Sequence, residues 1–349
     1  MSHLWEISDK HIWNTFVITN APLYSFLSSR EWGEFNVQQW NQISRFGIYT
    51  TDETLIWVLL LLKIQAKRWT FRLAPHSPII VGDYFSILGS ILPELRSLAK
   101  KSGAAFLRIN GLTEHTVANE DAYKNLWFRQ APIHMHAEET NLLTLAWTEE
   151  EMLQQVKKNT RYMINRARRE WVTVEHDNSP ESIQDFIHMH VSHARRTNGK
   201  LQYTPFSTSY IENLFAVFGE RVNVFNAYYK WVKEASCVTV AFGKTTVYYL
   251  WASDIQHPKF SPAYLCQRTA IQYARETWST TYNFRWVSPD GNKKHPLYGV
   301  SFFKRSFGWD DFFLSHAKDY ICSWKYWYTR AIDRWRAFSR WYYYPAPKE

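Results

Sequence analysis

A helix start at Thr148 constrains this chain most, because the pattern of the first half begins again after it. Thr148-Glu149-Glu150-Glu151 has the form of a capping box. In that arrangement the threonine hydroxyl and the Glu151 carboxylate each take a backbone N–H that the first turn leaves unpaired. Leu153, Val156, Thr160, Met163, Ile164 and Ala167 recur at helical spacing and predict one continuous helix, with a strand at 171–175 behind it. Upstream, residues 43–49, 55–64 and 69–73 read as successive strands turning at Asp52-Glu53, followed by a helix over 84–101 and strands at 104–109 and 141–146. Downstream come helices at 182–196 and 208–218, then strands at 222–229, 235–242 and 245–252. Pro262 opens a helix running to Glu276, and 281–286 is a strand. The expectation is an α/β (α+β) fold of two similar domains, 1–147 and 148–317, with a basic aromatic helix or tail over 318–349.

Composition bounds the function. Of 349 residues 46% are apolar, enough to fill two cores, and only 21% are charged, so the chain is folded rather than disordered. A net charge of +9 favours polyanionic partners: nucleic acid, nucleotide phosphates or an anionic membrane surface. Three widely spaced cysteines without a Cys-x-x-Cys pair argue against a disulfide framework or zinc cage and fit a reducing cytoplasm. The N-terminus has no apolar signal core. The longest apolar run, 55–62, is far short of the roughly 20 residues that span a bilayer and reads as a buried strand. The localisation expected is cytoplasmic, at most peripheral at the membrane.

Several constellations carry possible chemistry. Lys157, Lys158, Arg161, Arg166, Arg168 and Arg169 crowd the helix after Thr148, while its acids sit in the first turn. They read either as phosphate contacts for nucleic acid or as a solvated face. His188, His190 and His193 have helical spacing compatible with a metal, but without a completing carboxylate they read as a surface face. His134 and His136, taken as one face of a strand, read the same way. No Gly-x-Ser-x-Gly elbow, Walker loop or Gly-x-Gly-x-x-Gly fingerprint is present. An enzyme of this kind positions two substrates and stabilises charge. At the C-terminus, Tyr320, Trp324, Trp327, Tyr328, Ala331, Trp335 and Phe338 follow helical spacing with Lys325, Arg330, Arg334, Arg336 and Arg340 around them. That is either an interfacial helix, contacting the inner membrane face through residues 320–344, or a packed terminal helix with a cationic exterior.

The remaining constellation is His295 to Trp309, where Lys304 and Arg305 interrupt an apolar segment, 300–307, closed by Gly308. A lysine directly after Phe302-Phe303 is costly to bury unpaired, so its head reaches either water or a ligand.

Four stretches in order carry a family resemblance: Ser25-Phe26-Leu27 through Trp32-Gly33-Glu34-Phe35; residues 141–175 with Arg161-Tyr162-x-Ile164-x-x-Ala167; Tyr248 to Ser253; and Tyr282-Asn283-Phe284 through Phe303-Lys304-x-x-Phe307-Gly308. Over about 20–315 the chain resembles the Fem-type (FemABX) aminoacyltransferases of peptidoglycan bridges. The resemblance implies two GNAT-like domains in tandem with a substrate cleft between them. The long helical hairpin of some relatives has no counterpart here, and a C-terminal amphipathic helix follows. It implies that Lys304 and Phe303 are catalytic, Lys304 stabilising the anionic tetrahedral intermediate or the departing tRNA ribose. Trp32, Tyr210, Tyr249 and Trp251 are the expected substrate-binding residues. Lys157, Lys158, Arg161, Arg168 and Arg305 are the expected tRNA or phosphate contacts. Aminoacyl-tRNA serves as co-substrate, with no metal and no further cofactor.

Departures narrow the substrate. Where relatives using a nucleotide-linked precursor place a lysine near the Trp32 motif, this chain has Glu34, Phe35 and Asn36. A phosphate-binding arginine expected in 203–206 is missing, and Trp251 replaces a tyrosine. A lipid-linked precursor is therefore preferred over a nucleotide-linked one. The rival reading is a GNAT-type N-acyltransferase using acyl-CoA, which the glycine-free stretch 263–274 opposes because it offers no pyrophosphate loop. A non-catalytic tRNA- or membrane-binding relative is the third.

Overall fold

The computed structural model describes residues 4–67, 69–145, 148–197, 206–288, 293, 295, 297–308 and 310–339. The chain divides into two compact units, Met1–Glu138 with Phe313–Glu349 and Glu139–Phe312.

Unit 1 opens with β1 (Trp5–Glu6), α1 (Lys10–Asn20) and α2 (Arg30–Gln38). Asp9 and Ser29 cap the two helices by accepting from the backbone N–H of Ile12 and Trp32, which satisfies donors the first turn leaves over. Both helices escaped the periodicity reading because asparagine, threonine and glycine interrupt their apolar stripes. Next come β2 (Gln42–Tyr49), β3 (Leu55–Gln65), β4 (Thr70–Pro75), β5 (Ile79–Ile80), α3 (Tyr84–Lys101), β6 (Phe106–Asn110), α4 (Val117–Asn125) and β7 (Arg129–Gln130). The apolar run lies in β3, as expected, and is buried on both faces. Trp57, Leu59 and Leu61 join the cluster of Leu88, Leu95 and Ile109. The alternate residues Val58, Leu60 and Leu62 are equally buried. Two-sided burial explains why this strand shows no polar alternation.

Unit 2 comprises β8 (Glu139–Thr144), α5 (Glu149–Gln155), α6 (Lys158–Arg169), β9 (Thr173–His176), α7 (Pro180–Thr197), α8 (Thr208–Phe218), β10 (Val222–Tyr229), β11 (Val232–Phe242), β12 (Thr245–Ser253), α9 (Pro262–Glu276), β13 (Thr281–Trp286), α10 (Tyr298–Arg305) and β14 (Asp311–Phe313). Its sheet runs β14-β8-β13-β12-β11-β10-β9. The capping box at Thr148 is present, but the single helix expected behind it is broken. Val156 and Lys157 are extended, with ψ of 131° and 141°. Arg161 Nη1 reaches back to the carbonyls of Leu153 and Gln154 at 3.0 and 3.3 Å, satisfying acceptors that the end of α5 leaves open. The apolar segment 300–307 is helical, lying mostly in α10.

The chain then returns to unit 1 with β15 (Lys318–Ile321) and α11 (Lys325–Ser339). The sheet of unit 1 runs β1-β2-β3-β4-β6-β15-β7, with β5 on β3. The expected limits at 148 and 318 therefore differ from the observed ones. β8 pairs with β13 of unit 2, which sets the division before Glu139. β15 lies antiparallel to both β6 and β7, so the C-terminal segment is not a separate tail. Leu314 N donates to Glu138 O at 2.8 Å, so the chain re-enters unit 1 beside the residue from which it left. Among the described residues no helix is long and apolar enough to cross a membrane.

Five tryptophans occupy left-handed backbone positions that normally favour glycine. Trp40, Trp127, Trp171 and Trp278 follow α2, α4, α6 and α9, and Trp231 turns the β10–β11 hairpin, with φ between 62° and 69°. All five are exposed, which avoids a packing clash but not the backbone cost.

Candidate active site

The site is built where two strands of unit 2 part. β12 and β13 run parallel and pair at Thr245–Thr281, Thr246–Tyr282 and Val247–Asn283. Just beyond, Leu250 and Tyr248 face adjacent residues of β11, leaving Tyr249 as a bulge. β13 shifts register between Asn283 and Trp286, where Arg285 adopts φ 53° and its N–H donates to Asn283 Oδ1 at 2.7 Å. Bulges re-aim side chains and free backbone groups from the ladder. Here Trp286 resumes the pairing, opposite Thr140.

Lys304, in the last turn of α10, reaches that residue. Its side chain is 2% exposed, and Nζ donates to Trp286 O at 2.8 Å. The ammonium also lies over the rings of Tyr248 and Trp251, 5.6 and 5.7 Å from their centroids. Among the described residues it forms no ion pair. Burial, helped by the charge of Arg285, lowers its pKa to about 7. Of the two outcomes posed by the sequence, water or ligand, the head meets neither here: it is bonded to a backbone carbonyl. An amine poised near neutrality can take or give a proton or hold developing negative charge.

Tyr210 of α8 and Tyr249 of β12 join through their hydroxyls, and burial raises the Tyr210 pKa, so it remains a hydroxyl donor. The Arg285 guanidinium stacks over the Tyr249 ring at 4.6 Å, and Phe206 stacks on Tyr210 at 4.3 Å. Beside Lys304 opens a cavity of about 240 Å³, lined mainly by Cys237, Tyr248, Trp251, Cys266, Val300 and Phe303. Phe303 is held by Tyr264 and Phe307, at 4.9 and 5.2 Å between ring centres. Burial pushes the Cys237 thiol well up, which withholds the thiolate a nucleophilic cysteine needs.

The structure thus brings Lys304, Phe303, Tyr210, Tyr249 and Trp251 into one unit around one strand opening. Arg285 and Tyr248 were not singled out from sequence. Arg285 directly follows the Tyr282-Asn283-Phe284 motif, but a register shift leaves no trace in residue pattern. Trp32 belongs to unit 1, buried on α2, stacked on Phe35 at 5.0 Å and edge-on to Phe26. Residues 203–205 and Trp309 lie outside the described residues, as do 340–344 of the aromatic tail.

The cations expected to hold phosphate divide. Lys158 and Arg168 are exposed on α6. Lys157 is exposed with its Nζ over the Phe302 ring at 5.7 Å. Arg161 is occupied by the end of α5. Arg305 is occupied by Asp311 and the Ser288 carbonyl.

The histidines also differ from expectation. His190 is fully buried, its Nδ1 3.1 Å from Trp251 O, and His193 bonds Ser253 O at the same distance. They therefore brace α7 on β12 rather than forming a surface face. His134 and His136 are not on a strand. His134 and His316 both bond Glu138 Oε2 in unit 1, with donor atoms within 4.8 Å of one another.

Comparison with known proteins agrees with this geometry. Residues 224–309, which include β12, β13 and α10, match the model of the FemAB family. The crystal structure of FemX superposes with a TM-score of 0.82 at 16% identity, over 94% of this chain and 99% of that one. A tandem GNAT protein from the clavulanic acid biosynthesis pathway gives 0.57 at 8% identity, over 93% and 99%. L-PGS from Bacillus licheniformis gives 0.56 at 12%, over 94% and 97%. No curated protein matches the chain in sequence. At these identities the structures establish the fold, a mixed α/β architecture shared with tandem GNAT proteins. The family match falls on the stretch that carries Lys304, so the Fem-type resemblance read from the sequence is supported from two sides.

Proposed function

We propose that this protein is an acyltransferase that moves an amino acid from aminoacyl-tRNA to the stem-peptide amine of a peptidoglycan precursor. The observation that carries the reading is Lys304: buried, bonded to the Trp286 carbonyl, and inside the family-matched stretch, where its neighbours Phe303, Tyr248 and Trp251 line a cavity. The precursor amine attacks the ester carbonyl of the aminoacyl-tRNA and forms the new C–N bond. The ester C–O bond then breaks, and the ribose hydroxyl leaves with a proton. Lys304, as ammonium, stabilises the oxyanion and supplies the proton to the departing oxygen, and it is restored by the proton that the attacking nitrogen loses as it becomes the amide. Donors placed where charge develops are worth several kcal/mol in such a step, on the order of 3 to 4 for one donor. Phe303 and Trp251 shape the cavity around the reacting group, and the Tyr210–Tyr249 pair with Arg285 positions the acceptor. Exposed Lys158 and Arg168, with Lys157 beside them, contact tRNA phosphates.

A lipid-linked acceptor fits best. Glu34 on α2 is paired with Arg30 at 3.2 Å, and Asn36 is bonded to the Trp32 carbonyl at 2.8 Å, so neither Glu34 nor Asn36 offers the cation that a nucleotide-linked precursor would call for there. The test is incubation of the protein with charged tRNAs and with lipid-linked or nucleotide-linked precursors, followed by mass spectrometry of the stem peptide. Transfer to the lipid-linked form, abolished in Lys304→Ala with an unchanged circular-dichroism spectrum, is the expected result. Absence of transfer with every amino acid would sink the reading.

A further inference from the structure

α11 carries two faces with opposite requirements. Tyr326, Asp333 and Ala337 are buried against unit 1. Tyr326 meets the Phe106 ring edge-on at 5.4 Å. Arg330 Nη1 donates to Gln130 O at 2.7 Å and to the Tyr326 hydroxyl at 2.8 Å. The packed side of the helix is therefore fixed.

Trp324, just before the helix, and Trp327, Tyr328, Trp335 and Phe338 on it are between 50% and 86% exposed. At 3.6 residues per turn they fall within an arc of about 100°, roughly opposite the packed face. Ala331 lies in the same arc. A terminal helix serving only to cover its own domain gains nothing by placing its largest rings on the solvent side. Exposed Arg334 lies on one flank of this stripe and exposed Arg336 on the other, and the Arg129 guanidinium sits over the Trp327 ring at 5.0 Å.

We infer that this aromatic stripe docks on an anionic bilayer surface. The composition of the face selects the occupant. Tryptophan and tyrosine present an apolar ring with a polar edge, which suits the headgroup boundary, and basic residues beside them suit an anionic one. The cationic flanks complement acidic headgroups, and the net charge of +9 acts in the same direction at longer range. The docking surface belongs wholly to unit 1 and uses no residue assigned to acyl transfer, so it stands or falls separately from that chemistry.

The experiment is vesicle flotation of the full chain. One set of vesicles contains phosphatidylglycerol and phosphatidylcholine in equal parts, and the other pure phosphatidylcholine. The expected result is binding to the anionic vesicles that weakens as salt is raised, with little binding to the zwitterionic ones. Trp335→Ala with Phe338→Ala should weaken binding at least about tenfold. Arg334→Gln and Arg336→Gln should each weaken it about fivefold and flatten the salt dependence. These residues are exposed, so circular dichroism should stay unchanged. Equal binding by the aromatic variant, or no flotation of the wild type even at low salt, overturns the inference. Concentration-dependent dimerisation in sedimentation, lost in the aromatic variant and unaccompanied by vesicle binding, would assign the stripe to a second copy instead.

Discussion

Arg305 presents its guanidinium edge to Asp311 as a fork, with Nε and Nη2 2.9 and 2.6 Å from Oδ2. Nη2 also donates to the Ser288 carbonyl at 2.5 Å. A guanidinium committed in this way ties the end of α10 to the following strand and is poorly placed to hold a phosphate. Arg305→Gln should therefore cost about 1–3 kcal/mol of stability while leaving tRNA affinity and its salt slope unchanged. Denaturant unfolding and tRNA binding at several salt concentrations separate the two effects. A flatter salt slope with unaltered stability would return Arg305 to the phosphate-binding set.

The opposite outcome is expected on α6. Lys158 and Arg168 are exposed, and a charge change there has little packing to disturb. Lys158→Gln and Arg168→Gln should leave the unfolding midpoint nearly unchanged. Each should reduce the slope of log affinity against log salt by about 0.7 to 0.9. Steep, unaltered slopes in both variants would make this face merely solvated.

Sequence carried the periodic elements and failed where tertiary contacts decide. β10 and α8 have the expected bounds; α8 is marked by Ser207 before it and Gly219 after it, and β10 by its run of buried residues. The break between α5 and α6 leaves no mark in the sequence because Val156 and Thr160 continue the helical spacing across it; what stops the helix is an extended backbone, stabilised by Lys157 N–H donating to Ser306 O at 3.1 Å. At the site, resemblance located Phe303-Lys304, whereas Arg285 depended on a register shift that only pairing reveals. Arg161 and Arg305 look like free cations in the sequence because their partners are backbone carbonyls and, for Arg305, one aspartate besides.

Burial of Lys304 has a sign that stability measurements can read. Its pKa falls from an ordinary 10.5 to about 7 in the folded protein. Between those values the unfolded chain binds more protons, so the folded state gains stability as pH rises through this window. Below about pH 7 the ammonium is present in both states and its burial cost is felt in full. Lys304→Met should remove that dependence. The difference between wild type and variant should change by up to about 1.4 kcal/mol per pH unit between neutrality and pH 10. Parallel stability curves for the two proteins would show that the amine is not perturbed.

In unit 1 the pair to test is Arg108 and Asp319, joined by two hydrogen bonds of 2.6 and 2.8 Å and both essentially inaccessible. The arginine also lies over the rings of Phe71 and Phe106, at 5.6 and 5.0 Å. Removing one charge leaves the other buried and uncompensated, so Asp319→Asn should cost about 3–5 kcal/mol. Arg108→Met combined with Asp319→Leu should recover much of that loss. Chemical denaturation of the two variants is the measurement; equal losses in both would assign the cost to packing rather than charge.

The position of β15 between β6 and β7 also sets an order of assembly. During synthesis all of residues 139–312 leave the ribosome before the strand that fills the gap in the first sheet exists. The second unit can close as soon as it emerges, while the first must wait with an open sheet edge and an unpaired arginine at position 108. Unit 1 is therefore complete in its hydrogen bonding, and Arg108 in its charge, only once the chain has been made as far as residue 321.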